Sequence, residues 1–228
     1  MKTSILFLLF GISVGSVFSQ KRIIDLPNSS YMDMSSYLTS NQERVLDFRL
    51  DDLREHHDSL NFRFWTDRQL LDFKRDLKGN LSLNVYYFVF YSPFKSKKPM
   101  QHIFLKQEIS KNDAVQLWGE MLKSGILFMP DQNKIKGWGM VIDGYYYSTE
   151  LSTDSLYKFA TYSCPEYMIN KCSEAKAIVE FIELVNLKVG LKKTMQNFID
   201  SSPKGMYSCD KYNYWMKKKK IKKMEIEK

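Results

Sequence analysis

The chain is poor in the residues that usually build a reaction centre. Its 228 residues include three histidines, three cysteines, ten glycines and six prolines. So little Gly and Pro excludes a collagen-like, low-complexity or linker-rich protein. It also leaves little from which to build a phosphate cradle, where successive glycines let backbone N–H groups approach an anion. Gly137-Trp138-Gly139 and Gly144 lack the dinucleotide-binding spacing and its strand–turn–helix setting. No Gly-x-Ser-x-Gly elbow occurs. Ser-x-x-Lys recurs from Ser92, Ser155, Ser173, Ser201 and Ser208, which is too often to be informative. After the N-terminus no apolar run approaches the ~20 residues of a membrane span.

What is present starts at Met1. Lys2, the apolar run Ile5–Val14 and Val17-Phe18-Ser19 follow the order of a cleaved secretory signal. Residues 1–19 are therefore expected to be removed, giving an exported protein, periplasmic or extracellular. The net charge is +8, but Lys2 lies in the signal. The tail Met216–Lys228 carries seven lysines against Glu225 and Glu227, or +5, which leaves Gln20–Trp215 with +2. A body so nearly neutral lacks the basic stripe of a specific nucleic-acid binder. The tail is expected either to stay a solvated end or to touch acidic surfaces by nonspecific attraction.

In an oxidising compartment Cys164 and Cys172, which bracket a short polar stretch, are expected to form a disulfide and leave Cys209 over. The alternative is three buried thiols acting as small apolar residues.

The pattern predicts a loose lead-in over 20–42, one α+β domain over 43–215 and a Lys-rich tail over 216–228. Residues 43–60 fit either a helix or a strand. Period-two alternation predicts strands at Leu60–Phe64, Leu81–Tyr91, His102–Ile109 and Leu156–Tyr162, with a hairpin through Gly79. Leu71–Leu77 suits a strand or a helix. Met140–Tyr147 reads as a hairpin about Asp143-Gly144, or as one strand bulged at Gly144. Ser110, with Asp113 three residues on, should cap a helix whose Ala114, Val115, Trp118, Met121 and Leu122 face the core and which Gly125 ends. A long helix should run from Ser173 to Gly190 and a shorter one beyond it. A last strand is expected within Tyr207–Trp215. Strands and helices come in runs, so the expected fold is α+β, a mostly antiparallel sheet with two or three helices.

Two clusters invite functional readings. Asp51, Asp52, Glu55, His56, His57 and Asp58 contain zinc-type donors, but adjacent histidines point to different faces and do not converge. A solvated charged segment is the plainer reading, and no metal or other cofactor is expected. Trp138, Tyr145, Tyr146 and Tyr147 form the second cluster, with half of the rings on each side of any strand. They would offer a stacking face for a glycan, a peptide or an envelope protein, with core packing as the alternative. The expected function is thus a non-enzymatic envelope protein that binds a ligand or partner. A small exported hydrolase using Asp/Glu carboxylates, or the His56–His57 pair, is the alternative.

Overall fold

The computed structural model describes residues 22–27, 34–55, 60–94, 100–139, 141, 144–208 and 214–217. Residues 1–19 and the tail beyond 217 lie outside them, as do His56, His57, Asp58 and Cys209.

One sheet carries all the described strands. Strands β2 (Leu60–Trp65), β3 (Gln69–Arg75), β4 (Leu81–Ser92) and β5 (Gln101–Glu108) form an antiparallel meander. The β3–β4 turn passes through Gly79 at φ +82°, with the Asp76 carboxylate accepting from the Asn80 N–H at 2.8 Å. On the other side of β2 lies β6 (Tyr146–Ser152), itself hairpinned to β7 (Leu156–Ser163). The short β1 (Ile23–Asp25) joins β7 in the one parallel pairing among the described strands. At the far end of β4, Phe90–Ser92 pair with β8 (Gly205–Ser208), which pairs with β9 (Tyr214–Lys217). This is a mostly antiparallel α+β architecture.

Among the described residues four helices complete it, where two or three were expected. The extra one is α1 (Met34–Asp47), whose first half falls within the stretch expected to be a loose lead-in. Ser35, Ser36, Thr39, Ser40 and Asn41 are weak helix formers, so local propensity does not announce it. Val45 is buried on the helix and Phe48 directly after it, with Asn41 one turn earlier. Helix α2 (Lys111–Ser124) begins as expected, the Ser110 hydroxyl accepting from the Asp113 N–H at 3.2 Å, and ends at a left-handed Gly125. Its buried stripe is Ala114, Leu117, Trp118 and Met121, whereas Val115 and Leu122 are 49% and 52% exposed. Neighbours on a helix diverge by about 100°, so choosing Ala114 and Trp118 for the core turns Val115 and Leu122 outward. Gly190, at φ +70°, separates α3 (Ser173–Val189) from α4 (Leu191–Ser201). The reverse turn of the second β region joins β6 to β7 at residues 153–155, where the Thr153 N–H donates to the Leu156 carbonyl at 2.8 Å. Tyr146 opens β6, whose partners are β2 and β7, while Met140, Ile142 and Asp143 of the hairpin expected about Asp143-Gly144 lie outside the described residues.

The sheet is covered on both faces, unequally. One face carries Phe62, Phe64, Leu71, Phe73, Leu83, Val85, Tyr87 and Leu151 and is roofed by α2, α3 and α4. The opposite face carries Trp65, Leu70, Tyr86 and Phe88, on which Val45 and Phe48 pack. Beside that smaller core, Leu53 is buried against Tyr157 and Phe159 and pins the segment after α1 to the sheet.

Candidate functional site

On the α1 face the strand register brings together side chains that a core normally excludes. Arg63 of β2 stands directly opposite Asp72 of β3 and opposite Glu150 of β6. All three point to the same face and all three are buried. Asn61, Ser148 and Ser152 are buried beside them, so the α1 face has a polar floor where the other face is apolar.

The row is only partly satisfied. The Arg63 Nε–H donates to Asp72 Oδ1 at 3.1 Å. Among the described residues neither Nη1 nor Nη2 of Arg63 meets a hydrogen-bond partner, and Asp72 Oδ2 meets none. Glu150, by contrast, is held at both oxygens. The Trp65 indole N–H donates to Oε1 at 2.6 Å and the Tyr157 hydroxyl donates to Oε2 at 3.3 Å. Burial pushes the Glu150 carboxyl upward, against the opposing pull of Arg63. A guanidinium enclosed with two nitrogens unpaired is costly, because its lost hydration is not replaced.

Above the floor is a cavity of about 320 Å³, at the small end of the range for metabolite sites, about 300–1,000 Å³. The sheet supplies Arg63, Glu150 and Tyr157. Helix α1 supplies Asn41, Gln42, Val45 and Leu46, and the following segment supplies Leu50, Asp52 and Arg54. The mouth is open at Leu46, which is 75% exposed, and at the Arg54–Asp52 ion pair, whose side chains are 44% and 37% exposed. Arg54 clasps Asp52 through its backbone N–H and its guanidinium, which holds the Asp52 carboxyl below its ordinary range despite partial burial. Arg22, just before β1, donates to Ser152 Oγ at 2.6 Å and to the Leu53 and Leu156 carbonyls, tying the segment under the cavity to β6 and β7. Arg44 backs the site from α1, its guanidinium 4.9 Å from the Phe88 ring centroid and its pKa lowered to about 10 by burial.

Of the described residues singled out in the sequence, only Asp52 lines this cavity. Asp51 instead pairs with Lys74 at 2.8 Å. The aromatic cluster lies elsewhere. Trp138, Tyr145 and Tyr147 pack against the helix-covered core, with ring centroids 5.6 Å apart for Trp138–Tyr162 and 5.5 Å for Tyr145–Tyr147. The Trp138 N–H donates to the Ser163 carbonyl and the Tyr147 hydroxyl to Glu166 Oε1 at 3.0 Å. Tyr146, half-buried, alternates to the α1 face, so these four rings do not share one surface. The disulfide expected between Cys164 and Cys172 is not formed, and both are free thiols. The single turn Pro165–Tyr167 separates them, and each sulfur points at a different carbonyl: Cys164 toward Tyr145 and Cys172 toward Met168.

Among the described residues no three His, Cys, Asp or Glu side chains gather as a metal-binding set, and no helix is long and apolar enough to cross a membrane. No protein-family model matches the chain, and no curated protein matches it at a significant level.

Proposed function

We propose that this chain is an exported, non-enzymatic binding protein whose ligand enters the cavity between α1 and the sheet. One observation carries the reading. Arg63 is fully buried in the lining of that cavity, yet two of its three nitrogens have no partner among the described residues. A buried charge is ordinarily paired or bonded at every donor, and an incomplete set at the edge of a cavity marks a place where a ligand completes it. Export is supported by the apolar run Ile5–Val14 followed by Val17-Phe18-Ser19. N-terminal sequencing of protein recovered outside the host cytoplasm should begin at Gln20.

The test is a thermal-shift screen of the purified protein against a small-metabolite panel. At least one chemical class should raise the melting temperature of the wild type and not of Leu46→Trp, which fills the mouth. A panel in which nothing discriminates the two proteins would remove the reading.

A hydrolase is the second reading, and a specific observation favours it. Two carboxylates share the cavity with pKa values displaced in opposite directions, Glu150 up and Asp52 down, the pattern of an acid and a base. Against it, both Glu150 oxygens already accept hydrogen bonds and Arg54 grips Asp52, so neither is free to exchange a proton with a substrate. Turnover of chromogenic esters or glycosides that Glu150→Gln abolishes would decide for the hydrolase.

A further inference from the structure

We propose that the cavity under α1 binds a small organic monocarboxylate with an apolar tail, the carboxylate forked onto Arg63 and the tail lying along Val45, Leu46 and Leu50. The proposal rests on the reading of this cavity as a ligand site and names the class of ligand.

Three features select that class. The first is shape. With Nε committed to Asp72, the Arg63 guanidinium has Nη1 and Nη2 left over, and a planar pair of N–H donors matches the two oxygens of a carboxylate. Both nitrogens are closed to solvent, so binding as proposed requires a side-chain rotamer change of the kind common at binding sites.

The second is charge. Asp72 and Glu150 flank Arg63 in register on either side. A doubly charged phosphate would lie beside two carboxyl groups, and a cation would face Arg63 and Arg54. A single negative charge suits what remains. Arg63 is the cation at the floor that has donors left over, and one carboxylate matches it.

The third is the wall. Val45, Leu46 and Leu50 form an apolar side that leads from the floor to an open mouth. A ligand with a charge at one end and hydrocarbon at the other meets both surfaces at once. Each methylene buried there should strengthen binding about fourfold.

The test is titration calorimetry at pH 7 with four probes: sodium octanoate, sodium acetate, octanol and octyl phosphate. Octanoate should bind at one saturable site, at least tenfold tighter than octanol or octyl phosphate and at least fiftyfold tighter than acetate. Two variants locate it. Leu46→Asp places a repelling charge on the exposed wall without touching the floor. The paired change Arg63→Gln with Asp72→Asn removes both charges together and orphans neither. Each should weaken octanoate at least tenfold.

Equal binding of octanol, or tighter binding of octyl phosphate, would overturn the monocarboxylate assignment. So would octanoate binding that neither variant weakens, because the site would then be elsewhere. If all four probes fail while the metabolite panel yields another mouth-dependent ligand, this inference falls and the binding reading stands. If both screens are empty, both fall.

Discussion

Removing the Arg63 guanidinium is the sharpest perturbation of the α1 face. In Arg63→Met the aliphatic stem is kept, but Asp72 and Glu150 lose the cation that stands opposite both of them. Breaking a buried ion pair by deleting one partner costs about 3–5 kcal/mol, chiefly through the charge left behind. Glu150 can escape part of this by taking a proton, which burial already favours, so the lower end of that range applies. For a chain of this size each kcal/mol moves the melting temperature by about 2–4 °C, and a fall of roughly 10 °C is expected. Urea unfolding followed by far-UV circular dichroism measures the free energy, with an unchanged slope showing that the denatured state is unaltered. The control is the triple variant Arg63→Met, Asp72→Leu, Glu150→Gln. It removes every charge of the row and keeps an acceptor for the Trp65 N–H. It should recover to within about 1–2 kcal/mol of the wild type, as apolar replacements of buried ion clusters do. An Arg63→Met protein within 1 kcal/mol of the wild type would refute the electrostatic account. A triple variant as unstable as the single one would show that guanidinium packing, and not charge, sets the loss.

Three more outcomes are expected. Glu150 has a folded-state pKa raised above its ordinary 4.5, so its contribution to stability is complete below about pH 4.5 and is lost as pH rises through the folded value. The stability of Glu150→Gln relative to the wild type should therefore grow from acid to neutral pH, and a flat difference across pH 4–8 would contradict the burial of this carboxyl. Native alkylation without reductant should label half-buried Cys172 readily and Cys164 slowly, since burial both shields the Cys164 thiol and raises its pKa; a peptide map showing a Cys164–Cys172 bridge would refute the free-thiol assignment. Gly205→Ala should cost about 1–3 kcal/mol in the same urea assay, because an added Cβ would stand 2.5 Å from the Ser92 carbonyl oxygen and 2.5 Å from the Tyr91 ring. An unchanged midpoint there would show that the β4–β8 junction is loosely packed.

Much of the helix-covered face was legible from local rules. Phe62 and Phe64 alternating with Asn61 and Arg63, the Gly79 turn, and the Ser110–Gly125 punctuation of α2 each identify an element with no knowledge of its neighbours. The same rules failed where tertiary contacts decide. Leu71–Leu77 fitted two periodicities, and only pairing with β2 and β4 makes it a strand. Helix α1 begins on weak helix formers, and of its described side chains Val45 joins the apolar cluster on the sheet while Asn41 reaches Ser148 Oγ at 3.1 Å. Such a helix is held by what it covers more than by its own propensity.

The site was hidden by the alternation that revealed the strands. A polar residue between two aromatics, as Arg63 is between Phe62 and Phe64, reads as the solvent side of a half-buried strand. That inference holds only if nothing covers the second face. The contrary signal lay one step further along each strand. Trp65 and Leu70 share the parity of Arg63 and Asp72, and Tyr86 and Phe88 share that of Asn84. Large apolar residues on the supposed solvent side mean a second cover, and a second cover turns the intervening Arg63, Asp72 and Glu150 into buried groups. Had the register been known, their convergence would have followed, because residues directly opposite across β6, β2 and β3 must share a face. Register is a long-range property, and a single strand's sequence does not contain it. A charged row under a cover is therefore the kind of feature that becomes visible only once the pairing is known, and its incomplete hydrogen bonding is what supports the proposed binding role over a fully paired structural cluster.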